Sequence, residues 1–391
     1  MIGVDEAQRL MMEQVTLLPT TTTDLLSAHG RFLAADVVAP NEHPLFDCSA
    51  VDGYAISGEP SEGHWRMVGE IAAGGVLPTK LVPGQCARIF TGALVPEGTT
   101  AVVMQEFVAR MQDRVTHNDT RLRPGANIRK RGEQLQRGEV ILRAGDRLNA
   151  AAVGMLASVG VGHVQTAMTP RIGVLITGDE FITSENTDAG RIFSSNDVML
   201  GALLAQAGIS ASPVHVADAL DVLERGIRSA LDMNDVVIST GGASVGDHDL
   251  VRVAVERCGG RIIFHGVAQK PGKPMLFARF GNKAFFGLPG NPRAVLVLYH
   301  IYVLPYLQAM QHAGDPRRRT EELPLEDALT VKGDRAEFRA ALVVAGQVRV
   351  LRDEGSHMLR SMVEANALAY LPADRREWKA GDPIRIHHLR Q

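Results

Sequence analysis

The sequence predicts a multidomain α/β protein: a central doubly wound parallel-sheet domain, a helical segment carrying a β-rich insert before it, and a small antiparallel β domain after it. Three observations predict this. Between 169 and 313, strand-length apolar runs such as "RIGVLIT" and "DVVIST" alternate with helix-length runs such as "NDVMLGALLAQAG", the mark of parallel strands joined by crossover helices. On both sides, at 41–145 and 314–391, the runs are short, alternate with period two and are broken by Gly and Pro. The chain has 391 residues, enough for two to four domains because a single core grows poorly beyond ~250 residues.

The helical segment is expected over 1–40 and 146–168. Val4, Ala7, Leu10 and Met11 repeat at helical spacing, and Thr23 or Asp24 is placed to cap a second helix that stops at Gly30. "NAAAVGMLASVG" resumes the helix, with Asn149 as its cap and Gly160 as its stop. Runs such as "HWRMVGEI" and "TAVVMQEFVARM" make 41–145 the β-rich insert. In 169–313 the order is strand "RIGVLIT", helix from Ser195 or Asn196 to Gly208, strand "SASPVHVAD", helix "ALDVLERGIRSAL", strand "DVVIST", helix "DHDLVRVAVERCGG" and strand "RIIFHGVA". A long helix, "NPRAVLVLYHIYVLPYLQAM", closes the domain.

Composition narrows the function classes. With 45% hydrophobic and 22% charged residues and a net charge of −3, the chain lacks the broad basic field that nucleic acid or a membrane surface would require. Its least polar stretch, 151–164, is interrupted by glycines, a serine and a histidine and falls short of the ~20 residues of a spanning helix. The first fifteen residues carry charges inside an amphipathic pattern, unlike a signal peptide. A cytoplasmic protein is expected. Cys48, Cys86 and Cys258 are odd in number and far apart, so neither a disulfide frame nor a thiolate zinc site is indicated.

Ligands of open α/β sheets bind outside the carboxyl ends of the strands. That rim collects Asp179 and Glu180 after "RIGVLIT", and "GGASVGDHD" after "DVVIST". Gly241, Gly242 and Gly246 let backbone approach an anion closely, while carboxylates beside a phosphate seat point to Mg²⁺. "KPGKP", 270–274, follows a strand and offers Lys270 and Lys273 to a polyphosphate or oxyanion. "GLPGNP" brings Asn291 to a helix start, where an anion is favoured. In the insert, Asp47 and Asp52 lie near turns and Thr91 stands beside a glycine. Arg121, Arg123, Arg129, Lys130 and Arg131 read as a solvated basic hairpin.

In this order, "DGYA", "RIFTGALVPEGTTAVVMQE", "NIRKRGE", "TGDE", "SSND", "STGGASVGDHD", "KPGKP", "GLPGNP", "DRAEFRAAL" and "GSHMLRSMVEANAL" closely resemble the molybdopterin molybdenumtransferase family, MoeA and the E domain of gephyrin. The resemblance spans nearly the whole chain. It implies a molybdopterin-binding role for the α/β domain, a C-terminal β-barrel, and a homodimer with each active site between the α/β domain of one subunit and the insert of the other. The implied reaction is Mg²⁺-dependent insertion of molybdate into the dithiolene of adenylated molybdopterin, with release of AMP. Implied partners are a molybdopterin adenylyltransferase and molybdoenzymes.

Position by position, the family's functional residues fall on Asp52, Thr91, Glu180, Asp218, Asp249, Lys270 and Ser356. Asp52, Glu180 and Asp249 are the implied metal carboxylates. The same motifs assign cofactor binding to Thr177, Gly178, Asp179, Ser195, Asn196, Gly241, Gly242, Ser244, Gly246, Asp247, Lys273, Pro289, Gly290 and Asn291. Four positions depart from the family pattern. Gln134 stands where the family has an active-site Asp, Gly266 where a lysine often stands, and Cys48 and Val51 replace the Asn and Met of "FDNSAMDGYA". The retained residues favour an active transferase; Gln134 and Gly266 favour a weakened paralogue that carries or delivers molybdopterin.

Overall fold

A computed structural model describes the chain except residues 77–78, 180, 182–190, 243–249, 317–319, 353–354, 356–357 and 390–391. Val4–Met12 is the expected amphipathic helix, burying Val4, Ala7 and Met11. The second helix, expected to end at Gly30, does not form. Thr20–Asp24 is instead a strand, paired antiparallel with His163–Ala167. Its four consecutive threonines lose rotamer freedom in a helix and suit a pleated surface, and Thr23 Oγ1 bonds Thr166 Oγ1 at 2.7 Å in the interior. Asp24 still caps, but it caps a turn, accepting from Ser27 N at 3.0 Å. The helix Ala150–Ser158 forms as expected, with Asn149 Oδ1 accepting from Ala152 N at 2.8 Å.

The insert is a six-stranded sheet in the order Ala101–Met104, Gly53–Ile56, Gln85–Ile89, Trp65–Ile71, Arg114–His117, Val108–Met111. Side chains alternate across a strand, so Tyr54 and Ile56 join Trp65 and Val103 on one face while Ala55 joins Ile71 and Ile89 on the other. The basic hairpin is tied down by surface ion pairs: Lys130 Nζ lies 2.7 Å from Asp47, and Arg131 pairs with Glu42.

The central sheet runs Pro213–Val216, Ile172–Thr177, Val236–Thr240, Lys283–Leu288, Leu276–Phe280, Arg261–His265. Its first four strands are parallel. The parallel sheet expected from the sequence forms, and it carries one further strand, Leu276–Phe280, antiparallel to both its neighbours. The cause is local. Gly281-Asn282 joins two apolar runs as a two-residue hairpin turn, with Gly281 at φ +60°. Val174, Ile176 and Ile238 face one core, and Leu175 and Val237 the other.

The long closing helix is α-helical at Pro292–Leu298 and Leu304–Met310, with a π-helical turn at Tyr299–Val303 between them. Pro305 has no N–H to give Ile301 O four residues back. Gln8 Nε2, from the N-terminal helix, donates to that carbonyl at 3.2 Å instead. The C-terminal sheet orders Ala336–Val344, Ala367–Leu371, Pro383–His388 and Thr320–Pro324. Its first strand also pairs, in parallel, with Gln269–Lys270. Lys270 therefore leaves the central sheet and joins the C-terminal one. Among the described residues, no helix is long and apolar enough to cross a membrane.

Candidate active site

Parallel strands deliver their last residues to one rim, and here the strand ends carry polar groups. Thr177 ends its strand fully buried, and its hydroxyl donates to Thr240 O at 3.2 Å. Gly241 follows at φ +89°, where a Cβ would stand 2.3 Å from Thr177 O, and Gly242 at φ +60°, where a Cβ would stand 3.4 Å from Asp218 Oδ1. Only glycine fits such a close approach. Asp218 N in turn donates to Asp179 Oδ1 at 3.2 Å. Thr177, Asp179, Asp218, Gly241 and Gly242 thus meet as the sequence anticipates. One detail differs: the Gly241 N–H is taken by Leu288 O at 3.2 Å, so Gly241 contributes space rather than a free donor.

The "GLPGNP" loop closes the other side. Asn196, 3% exposed, donates through Nδ2 to Gly290 O at 2.8 Å, and a Cβ on Gly290 would lie 3.4 Å from Gly241 Cα. Asn291 is exposed and makes no side-chain cap to the helix it begins. Ser195 precedes its helix without a side-chain cap as well. Two buried acceptors at this junction, Asn196 Oδ1 and Thr240 Oγ1, have no hydrogen-bond partner among the described residues. Buried polar atoms in native proteins are nearly always paired, so each of the two leaves a hydrogen bond unmet at these strand and helix ends. Thr240 escapes a sequence reading because it closes an apolar run.

The insert supplies a second cluster. Asp52 Oδ1 accepts from both Thr91 N and Thr91 Oγ1, each at 2.8 Å. The backbone donor first, then the hydroxyl, and more weakly the Arg88 charge, hold the Asp52 carboxyl below its usual range. Because its folded pKa is depressed, ionised Asp52 favours the folded insert above its unfolded pKa, and that contribution fades as pH falls through the folded value. Thr91→Val is expected to move the Asp52 titration upward but short of its ordinary value, since the stronger backbone donor remains; a carboxyl NMR titration reads this, and an unmoved midpoint would show the hydroxyl to be irrelevant.

Asp52 and the rim belong to different sheets, with no strand pairing between them. Lys270 Nζ lies 3.5 Å from Glu337 Oε1 of the C-terminal sheet. Gln269–Lys270 takes its pairing from Ala336–Glu337. Lys273 is half-buried, its carbonyl accepting from Val267 N at 2.9 Å, and Pro289 is buried while Gly178 takes φ +144°. Glu180, Ser244, Gly246, Asp247, Asp249 and Ser356 lie outside the described residues. Among those described, no three His, Cys, Asp or Glu side chains converge as a metal cluster.

A multidomain α/β protein with a small-residue, acidic rim on its central sheet is the class these features define. The chain matches, in succession, the MoeA N-terminal region (domain I and II) at residues 2–160, a probable molybdopterin binding domain at 173–309 and the MoeA C-terminal region (domain IV) at 322–389. It is 31% identical to molybdopterin molybdenumtransferase of Haemophilus influenzae, over 99% of this chain and 98% of that one. Molybdopterin molybdenumtransferase 2 of Mycobacterium tuberculosis is 33% identical, over the whole of both chains. The crystal structure of the molybdopterin biosynthesis moeA protein from Pyrococcus horikoshii superposes with a TM-score of 0.82 at 28% identity, covering 99% of this chain and 100% of that chain. The chain belongs to the molybdopterin molybdenumtransferase (MoeA) family.

Proposed function

We infer that this chain inserts molybdate into adenylated molybdopterin with release of AMP, working as a homodimer in which the rim of one subunit meets the Asp52–Thr91 pair of the other. The observation that carries the reading is the close approach of Gly241 and Gly242 to Thr177 and Asp218, with Gly290 against Gly241 and Asn196 bonded to Gly290 O. Glycines without side chains give a phosphate-bearing pterin close access to the strand ends. The rim also presents Asp179 and Asp218 joined through one hydrogen bond. A phosphorylated ligand beside two aspartates requires a cation between like charges.

Mg²⁺ fits that requirement. Asp52, Glu180 and Asp249 would hold it, and Asp52 is kept ionised by Thr91. When bound, the ion supplies positive charge to phosphate and oxo oxygens. The chain's own contribution is orientation: the rim fixes the pterin end, Lys270 and Lys273 supply point charges to the phosphates, and Asp52 stays an acceptor. Such preorganised charge and positioning dominate catalysis of phosphate chemistry. Substrate from a molybdopterin adenylyltransferase, and product passed to molybdoenzymes in the cytoplasm, complete the reading. The test is AMP release from adenylated molybdopterin on adding molybdate and Mg²⁺, expected to stop with EDTA; absence of release under all these conditions sinks the reading.

Gln134 and Gly266 support the second reading, a molybdopterin carrier that inserts metal poorly. Gln134 is exposed, and its backbone N donates to His43 O at 3.0 Å. Gly266 holds φ +84° with its N donating to Met275 O at 2.8 Å. A lysine at 266 is strained in this backbone. Gly266→Lys is expected to cost about 1–2 kcal/mol through its left-handed conformation, whereas Gln134→Asp stays within about 0.5 kcal/mol as a surface change. Urea unfolding of the two variants measures both.

A further inference from the structure

Two charged residues interrupt an otherwise apolar strand in the C-terminal sheet. Ala336–Val344 reads "AEFRAALVV", and its Glu337 and Arg339 are 4% and 6% exposed. Residues two apart on a strand share a face, and Arg339 Nε donates to Glu337 Oε2 at 2.8 Å. Burial of a carboxylate is costly unless its charge is answered, and Arg339 answers it from the same strand. The other oxygen, Oε1, faces outward to Lys270 Nζ at 3.5 Å. That distance is longer than the ~2.8 Å of a strong charge-assisted hydrogen bond. Lys270 is thus drawn to Glu337 without being locked to it, and its side chain remains 43% exposed.

The backbone that carries Lys270 is fixed from below. Gln269 is fully buried, its Oε1 accepting from Tyr302 Oη at 2.6 Å and its backbone O from Arg335 Nη1 at 3.2 Å. Tyr302 belongs to the π-helical turn of the helix that begins at the "GLPGNP" loop. Pairing of Gln269 with Ala336 and of Lys270 with Glu337 sets the register. The strand pairing brings Lys270 to Glu337, and the helix holds the pairing in place.

We propose that Glu337 is a positioning residue: it orients the Lys270 ammonium toward the phosphates of adenylated molybdopterin, while Arg339 keeps the buried carboxylate compensated when Lys270 turns to the ligand. This rests on the reading that Lys270 meets those phosphates. Glu337 touches no substrate and acts only through Lys270. A thermodynamic cycle of Glu337→Gln, Lys270→Ala and the double variant tests it in the full chain. The readouts are the Kd for adenylated molybdopterin in EDTA, KM and kcat with Mg²⁺ and molybdate, and the unfolding midpoint of each variant.

Glu337→Gln is expected to raise Kd and KM about tenfold, in the range of measured couplings between contacting residues, with a smaller change in kcat. Placed on Lys270→Ala it is expected to change neither further. A merely structural carboxylate would instead worsen Lys270→Ala by the same factor, and that additivity overturns the proposal, as does wild-type affinity in Glu337→Gln. Should Glu337→Gln not fold, Glu337→Asp, which keeps the charge one methylene back, is read in the same cycle and is expected to be intermediate. Wild-type protein that binds no adenylated molybdopterin defeats the underlying functional reading; wild-type binding with an additive cycle defeats only the role of Glu337.

Discussion

Gly241→Ala is expected to weaken binding of adenylated molybdopterin by about a hundredfold, the scale of an ångström-sized misplacement of a binding group. The alanine Cβ would stand 2.3 Å from Thr177 O and 2.7 Å from Thr177 Oγ1. A buried strand end cannot retreat from it, so the loop must shift. That shift breaks the bond from Gly241 N to Leu288 O and pulls the loop from Gly290, whose would-be Cβ lies 3.4 Å from Gly241 Cα. Stability is expected to fall by about 3 kcal/mol from the strained backbone and the overlap together. Gly30→Ala is the control. It also sits at positive φ, +80°, but with nothing within 4 Å of the added Cβ, so it carries the backbone strain alone. Equal losses of affinity in the two variants would remove the rim from the site.

Asp52→Ala is expected to leave ligand affinity near wild type and lower turnover by about 10²–10³, the usual cost of removing one preorganised charged group. Its partner contacts are two hydrogen bonds from a single threonine, so the fold loses little. Asp52 precedes the insert strand Gly53–Ile56, whose sheet shares no strand with the central one among the described residues, and the proposed dimer brings the two together across subunits. Mixing equal amounts of Asp52→Ala and Gly241→Ala subunits under exchanging conditions is then expected to restore about a quarter of wild-type activity, because random pairing makes half the dimers mixed and each mixed dimer has one intact composite site. A mixture as inactive as its parts would place both residues in one subunit's site.

Much of this was legible in the sequence where the determinants are local. The strand and helix alternation of the central domain, the cap at Asn149 and the close approach at Gly241-Gly242 follow from periodicity and from residues with restricted or permissive backbones. Asp52 and Thr91 were named through their motifs; that Thr91 donates twice to Asp52 is seen only in the structure. What escaped depends on partners distant in the chain. Thr20–Asp24 is a strand because His163–Ala167 lies beside it, and no short window contains both. The antiparallel hairpin did have a local signal, Gly281-Asn282 between two apolar runs, which the alternation of longer elements concealed. The pairing of Lys270 is likewise set by residues 336–337, far along the chain. Glu337 and Arg339 carry a visible cue, charges two apart inside an apolar strand, but the cue gains meaning only once Lys270 is beside them.

The most direct measurement is a single-turnover reaction of the wild-type protein with adenylated molybdopterin, molybdate and Mg²⁺, following AMP released and molybdenum held by the cofactor, with Gln134→Asp run in parallel. An active transferase gives wild-type AMP release matched by an equal amount of molybdenum-bearing cofactor, and Gln134→Asp alters the rate without being needed for it. Wild-type protein that binds the substrate but releases no AMP, beside a Gln134→Asp variant that turns over, contradicts this and identifies the chain as a carrier.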